Sequence, residues 1–191
     1  TYRNIKNHYV LIGFNELSIN MIRELYDECP SARILLMSGM ESATVRHRIQ
    51  SALPVEVERQ VLVYFGNIES IEELQRLNIE SAIEVYVLGD EERYGRDAKN
   101  IAIMHLVSTL RGKCSDGKMM PVYVQFDSIP SYSNIQKMNL PREVFCIEGK
   151  PNIFFRPFNL HENLARQLWS LYGADCERRY DPLDYRPISI T

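Results

Sequence analysis

Apolar residues along this chain gather in short runs, and between the runs their spacing changes to that of helices. The runs are Tyr9–Gly13, Arg33–Met37, Gln60–Phe65, Glu84–Leu88, Val122–Phe126 and Glu143–Ile147. Several are apolar on both faces, as strands covered by helices on either side require. The intervening stretches Glu16–Tyr26, Ser42–Ser51, Ile71–Leu77, Ala98–Leu110 and Ser131–Met138 carry helical periodicity. Strands alternating with helices predict βαβ crossovers, hence an α/β fold with a doubly wound parallel sheet of about six strands.

Punctuation at the boundaries fits this order. Asp97 precedes a long apolar helix and is expected to cap it, and Arg111-Gly112-Lys113 supplies a cationic last turn with a glycine stop. Cys114–Met120 reads as a surface loop feeding the fifth strand. Beyond Pro157, Asn159 followed by Glu162 predicts a capped helix through Tyr172, with Leu160, Leu164, Leu168 and Leu171 in one stripe widened by Trp169 and Tyr172. The tail from Cys176 to Pro187 has no period, and its prolines forbid a regular helix. The expected division is therefore residues 1–150 as the α/β domain, with 151–191 as a C-terminal helix and an irregular linker or tail, a candidate for dimer formation.

The first strand runs into GFNELS, residues 13–18, where a dinucleotide-binding fold places G-x-G-x-x-G. Gly13 can make the tight turn. Asn15 stands where a second glycine lets backbone approach the pyrophosphate, and its side chain takes room the phosphates need. Ser18 is small enough for the close helix packing of the third position. Glu16 puts a carboxylate at the helix N-terminus, where it neutralises the dipole that holds a phosphate and repels one. The second strand ends in Ser38, which donates one hydrogen bond but cannot grip both ribose hydroxyls as an acid would. Together these departures argue against NAD binding of the usual kind. Arg46 and Arg48 lie just beyond and read as a solvated helix face.

Composition narrows the classes further. The chain has 191 residues, 45% hydrophobic and 25% charged, with a formal net charge of −3. That charge is mixed along the chain, so no basic field exists for nucleic acid or an anionic membrane. No apolar run approaches the roughly 18 residues of a membrane span, so direct membrane insertion is not expected. No signal peptide opens the chain, and its first residue is Thr1, which reads as a domain cut from a longer protein. Cys29, Cys114, Cys146 and Cys176 are scattered, without C-x-x-C, and read as reduced cytosolic thiols.

Val61–Gly89 carries a more specific pattern. Gly66, Leu74, Leu77, Ile79 and Ala82 fall where the RCK (KTN, or TrkA-N) family places the end of its third strand, a short helix and the turn into its fourth strand. Asn67 replaces the usual aspartate. Asn7-His-Tyr-Val-Leu-Ile-Gly13 resembles the family's opening, and Asp97-Ala-Lys-Asn100 the start of its fourth helix. The resemblance covers about residues 5–150. It implies a Rossmann-like regulatory domain of a potassium channel or potassium-uptake system, assembling as a homo-oligomer (dimer or ring) with a membrane channel or transporter as partner. It implies a cytoplasmic location, membrane-associated only through a channel subunit. It also implies that any ligand sits above the strand ends, at Gly13, Asn15, Ser18, Ser38, Gly66, Asn67 and Gly89, and that any cofactor is an adenine nucleotide or NAD(H).

Other chemistry finds little footing. Asp90-Glu91-Glu92 matches no calcium loop, and Arg93 and Arg96 interleave to neutralise it, so a solvated loop is expected. His8, His47, His105 and His161 have no metal-ligand spacing, and His105 reads as an interior residue of its helix. There is no G-x-S-x-G elbow and no phosphate loop, and Tyr94, Tyr123 and Tyr132 have no lysine four residues on. The alternatives to a regulatory domain are a ligand-free scaffold for oligomerisation and, further off, an NAD(P)-dependent oxidoreductase.

Overall fold

The computed structural model describes residues 5–92, 94–111, 119–137, 146–147, 150–151 and 153–159. Strands β1 (His8–Ile12), β2 (Ile34–Ser38), β3 (Val61–Phe65), β4 (Ala82–Val87), β5 (Met120–Gln125) and β8 (Ile153–Phe158) form one sheet in the order β3-β2-β1-β4-β5-β8. Every pairing in it is parallel. Helices α1 (Ser18–Glu28), α2 (Ser42–Ala52), α3 (Val55–Glu58), α4 (Ile71–Leu74), α5 (Arg96–Arg111) and α6 (Ile129–Lys137) connect the strands. The Rossmann-like sheet expected from the apolar runs is therefore present.

The pleat divides the core in two. Val10, Ile12, Leu35 and Met37 join Ile103, Met104, Val107 and Leu110 of α5. Tyr9, Leu11, Ile34 and Leu36 join Ile22 and Leu25 of α1 and Val45 and Ile49 of α2. All five residues of β1 and all five of β2 are buried, because successive side chains enter opposite layers that are both covered. The short α4 is capped by Ser70, whose hydroxyl accepts from the Glu73 amide, and ends in two 3-10 turns joined at Asn78 in the left-handed region (φ +50°).

Three sequence expectations need correction. The sixth strand of the sheet is Ile153–Phe158. Of Glu143–Ile147, the described Cys146–Ile147 is β6, pairing antiparallel with β7 (Lys150–Pro151). Asp97 does not cap α5, since that helix begins one residue earlier. Its carboxylate accepts from the amides of Asp127 (2.8 Å) and Ser128 (3.2 Å), at the start of α6. His105 is exposed, because it falls on the outer face of α5 between the buried pairs Ile103–Met104 and Val107–Ser108. The expected helix over Asn159–Tyr172, apart from Asn159, and the tail lie outside the described residues, as does most of the Cys114–Met120 loop.

His8 is fully buried at the start of β1, with Nε2 2.9 Å from the Leu77 carbonyl oxygen. Nε2 therefore carries the hydrogen and donates, leaving Nδ1 to take any further proton, and Nδ1 is buried without a partner. Burial pushes the imidazole below its ordinary value of 6.5. The unfolded chain thus binds the extra proton first. Stability is full above pH 6.5 and falls as pH drops from there through the folded value, by at most about 1.4 kcal/mol per pH unit. Urea unfolding across this range is expected to show that slope, and His8→Gln to flatten it.

Candidate functional site

Parallel doubly wound sheets bind ligands above the carboxyl ends of their strands, where strand order reverses. Here that point lies between β1 and β4, flanked by the end of β2. Gly13, at φ +95°, turns the chain out of β1, and an added Cβ would lie 2.2 Å from the carbonyl carbon of Gly89. The amides of Leu88 and Gly89 both donate to the Ile12 carbonyl, at 2.9 and 3.1 Å. At this crevice the glycine makes room for the neighbouring strand's backbone.

Asn15 turns inward. Its Nδ2 donates to the carbonyls of Leu88 (2.9 Å) and Gly89 (3.3 Å) and to Gln125 Oε1 (2.9 Å), while Oδ1 accepts from the Leu17 amide (2.9 Å). It is buried, and so are Ser18 and Ser38. The Asn15 side chain therefore ties the ends of β4 and β5 to the entry of α1 rather than filling phosphate space above the turn. Ser18 Oγ accepts from the Asn15 amide at 2.9 Å, closing the turn. Glu16 is exposed and faces Arg96, with 3.9 Å between Oε2 and Nη2. Arg96 is almost wholly buried beside Gly89, and its Nη1 donates to Asp127 Oδ2 at 2.9 Å.

The residue that organises the crevice is Asp90. Its Oδ1 accepts from the Phe14 amide (3.0 Å) and the Ser38 hydroxyl (2.6 Å), and its Oδ2 accepts from the Gly39 amide (3.0 Å). Ser38 Oγ in turn accepts from the Met40 amide at 3.0 Å. The next two carboxylates anchor the same loop on both sides. Glu91 pairs with Arg48 of α2, which also lies 6.0 Å over the Phe14 ring, and Glu92 accepts from Lys99 of α5 at 3.1 Å. The Glu92 carboxylate holds the Lys99 ammonium above its ordinary value. The expectation of a solvated loop at Asp90–Glu92 is corrected at Asp90, whereas Arg46 and Arg48 are exposed, as expected of a solvated helix face.

Of the residues expected to line a ligand site, Gly13, Asn15, Ser18, Ser38 and Gly89 converge here. Gly66 sits next to Ser38, donating its amide to the Ser38 carbonyl at 3.1 Å. Asn67 is exposed and spends its side chain on its own turn, accepting from the Glu69 amide at 2.9 Å. Asp90, Arg96, Gln125 and Asp127 were not singled out as site residues. Only the Leu-Gly-Asp ending of β4 could have pointed to Asp90. A dinucleotide does not fit the arrangement. The amides and hydroxyl that would face its phosphates and ribose are held by Asp90. Among the described residues no group of His, Cys, Asp or Glu is set to hold a metal, and no helix is long and apolar enough to cross a membrane.

No protein-family model and no curated protein matches the sequence. Solved structures do. The TrkA-N domain of the inner membrane protein ybaL from Escherichia coli is 15% identical, with a TM-score of 0.52 over 88% of this chain and 98% of that one. The RCK domain of GsuK is 13% identical, with a TM-score of 0.50 over 70% of this chain and 24% of that one. A GsuK mutant is 14% identical, at 0.50 over 86% and 34%. The chain thus spans a fifth to a third of the GsuK chains it matches. Such identities speak to fold, and the fold of this chain is that of the RCK and TrkA-N domains.

Proposed function

We propose that this chain is a regulatory domain of a potassium channel or potassium-uptake system, acting chiefly through subunit assembly. The observation that carries the reading is the β3-β2-β1-β4-β5-β8 parallel sheet, which matches a TrkA-N domain over nearly the whole of that domain. The Val61–Gly89 sequence pattern supports it independently of the sheet. Assembly is favoured over nucleotide sensing because Asp90 already holds the donors a nucleotide would need. The same contact weighs against an oxidoreductase, which must seat its cofactor there. In this reading the domain is cytoplasmic and meets the membrane only through its channel or transporter partner.

Two measurements test this together. Light scattering of the full chain is expected to give a dimer or ring, and deleting the chain in its host is expected to change potassium uptake at limiting external potassium. A monomer in solution combined with unchanged uptake would overturn the proposal.

A further inference from the structure

Three donors from two strand ends converge on one carboxylate. The Phe14 amide leaves the β1 turn, while the Gly39 amide and the Ser38 hydroxyl sit at the end of β2. Amides and hydroxyls gathered above strand ends in this way form an anion cradle. Asp90 reaches it from the far side of the switch point, and its placement is built in. Glu91 and Glu92, the next two residues, pair with Arg48 of α2 and Lys99 of α5 on either side of it. Gly39 also lacks the Cβ that would lie 3.1 Å from Asp90 Oδ2.

A tethered anion competes with a free one at an effective concentration of about millimolar or higher, and higher still when preorganised. We propose that Asp90 is the crevice's own resident anion: an autoinhibitory contact that excludes phosphate-bearing ligands, and whose removal uncovers a phosphate-binding site at Phe14, Ser38 and Gly39. This inference concerns the crevice and does not rest on a role in potassium transport.

The test compares the full-length native chain with Asp90→Ala and Asp90→Asn. Inorganic phosphate, ADP and adenosine are titrated into each, followed by calorimetry and thermal melting. The native chain is expected to bind none of them at millimolar concentration. Asp90→Ala is expected to melt lower and to recover with phosphate or ADP, binding both about tenfold or more tighter than the native chain. Adenosine is expected to do nothing, because it carries no anion. Asp90→Asn keeps the volume without the charge, and is expected to show weaker binding of the same kind if the alanine variant does not fold. Native protein that binds phosphate or ADP as tightly as the variants would overturn the inference. So would a folded variant that binds neither, or one that binds adenosine equally well. None of these results bears on oligomeric state, which tests the proposed function separately, although native protein that bound ADP would remove the reason for favouring assembly over nucleotide sensing.

Discussion

Replacing Gly13 by alanine is expected to destabilise the fold by about 4 kcal/mol or more, among the largest effects a single methyl group can have. Two costs add. The backbone holds φ at +95°, which an L-residue resists by about 1–2 kcal/mol. The new Cβ would also lie 2.2, 2.3 and 2.4 Å from the carbonyl carbon, oxygen and Cα of Gly89. None of these is the end of a side chain that can swing away. Relief requires separating β1 from β4, which breaks the bonds from Leu88 and Gly89 to the Ile12 carbonyl. Gly39→Ala in the same crevice is the control. Its Cβ meets a carboxylate oxygen at 3.1 Å, and it should cost much less. Urea unfolding measures both, and equal losses would mean that the Gly13–Gly89 contact is not the cause.

The second large effect is expected at Asn15. Truncation to alanine removes a buried amide that serves four partners: the Leu88 and Gly89 carbonyls, Gln125 Oε1 and the Leu17 amide. Partners left unsatisfied in a buried place cost about 1–3 kcal/mol each, and relaxation recovers part of it. A net loss of about 3 kcal/mol is expected. The entry of α1 should loosen with it, because that helix has no other side-chain cap. Hydrogen exchange would show this as faster opening of the Leu17 and Ser18 amides. A glycine at this position restores the second glycine of the dinucleotide fingerprint, yet Asn15→Gly should be as unstable as Asn15→Ala and should gain no affinity for NAD while Asp90 is intact.

Much of the sheet was legible because a parallel strand covered on both faces leaves an unbroken apolar run. His8–Ile12 and Ile34–Ser38 are such runs, and helix ends there stand within a few residues of expectation. The last strand was not legible. Ile153-Phe-Phe-Arg-Pro-Phe158 contains Arg156 and Pro157, which read as a break before a helix. Both are tolerated because β8 is an edge strand, where proline removes no central ladder bond, and the Arg156 guanidinium lies 5.6 Å over the Tyr123 ring. Of the site, the GFNELS turn could be located from its place after the first strand. What its residues touch could not be. Gly13 meets Gly89, Asn15 meets Gln125, and Asp90 meets Phe14, Ser38 and Gly39. These pairs are separated by up to 110 residues, and no local period records them.

The Asp90 contact also changes what the shape of this domain answers to. A bound metabolite steadies a crevice in proportion to its supply, so that such a domain softens when the metabolite runs low. A carboxylate carried on the chain is never scarce. If Asp90 is the crevice's resident anion, the ends of β1, β2 and β4 stay laced together in a starved cell as in a fed one, and regulation by this domain would enter through its assembly rather than through metabolite supply.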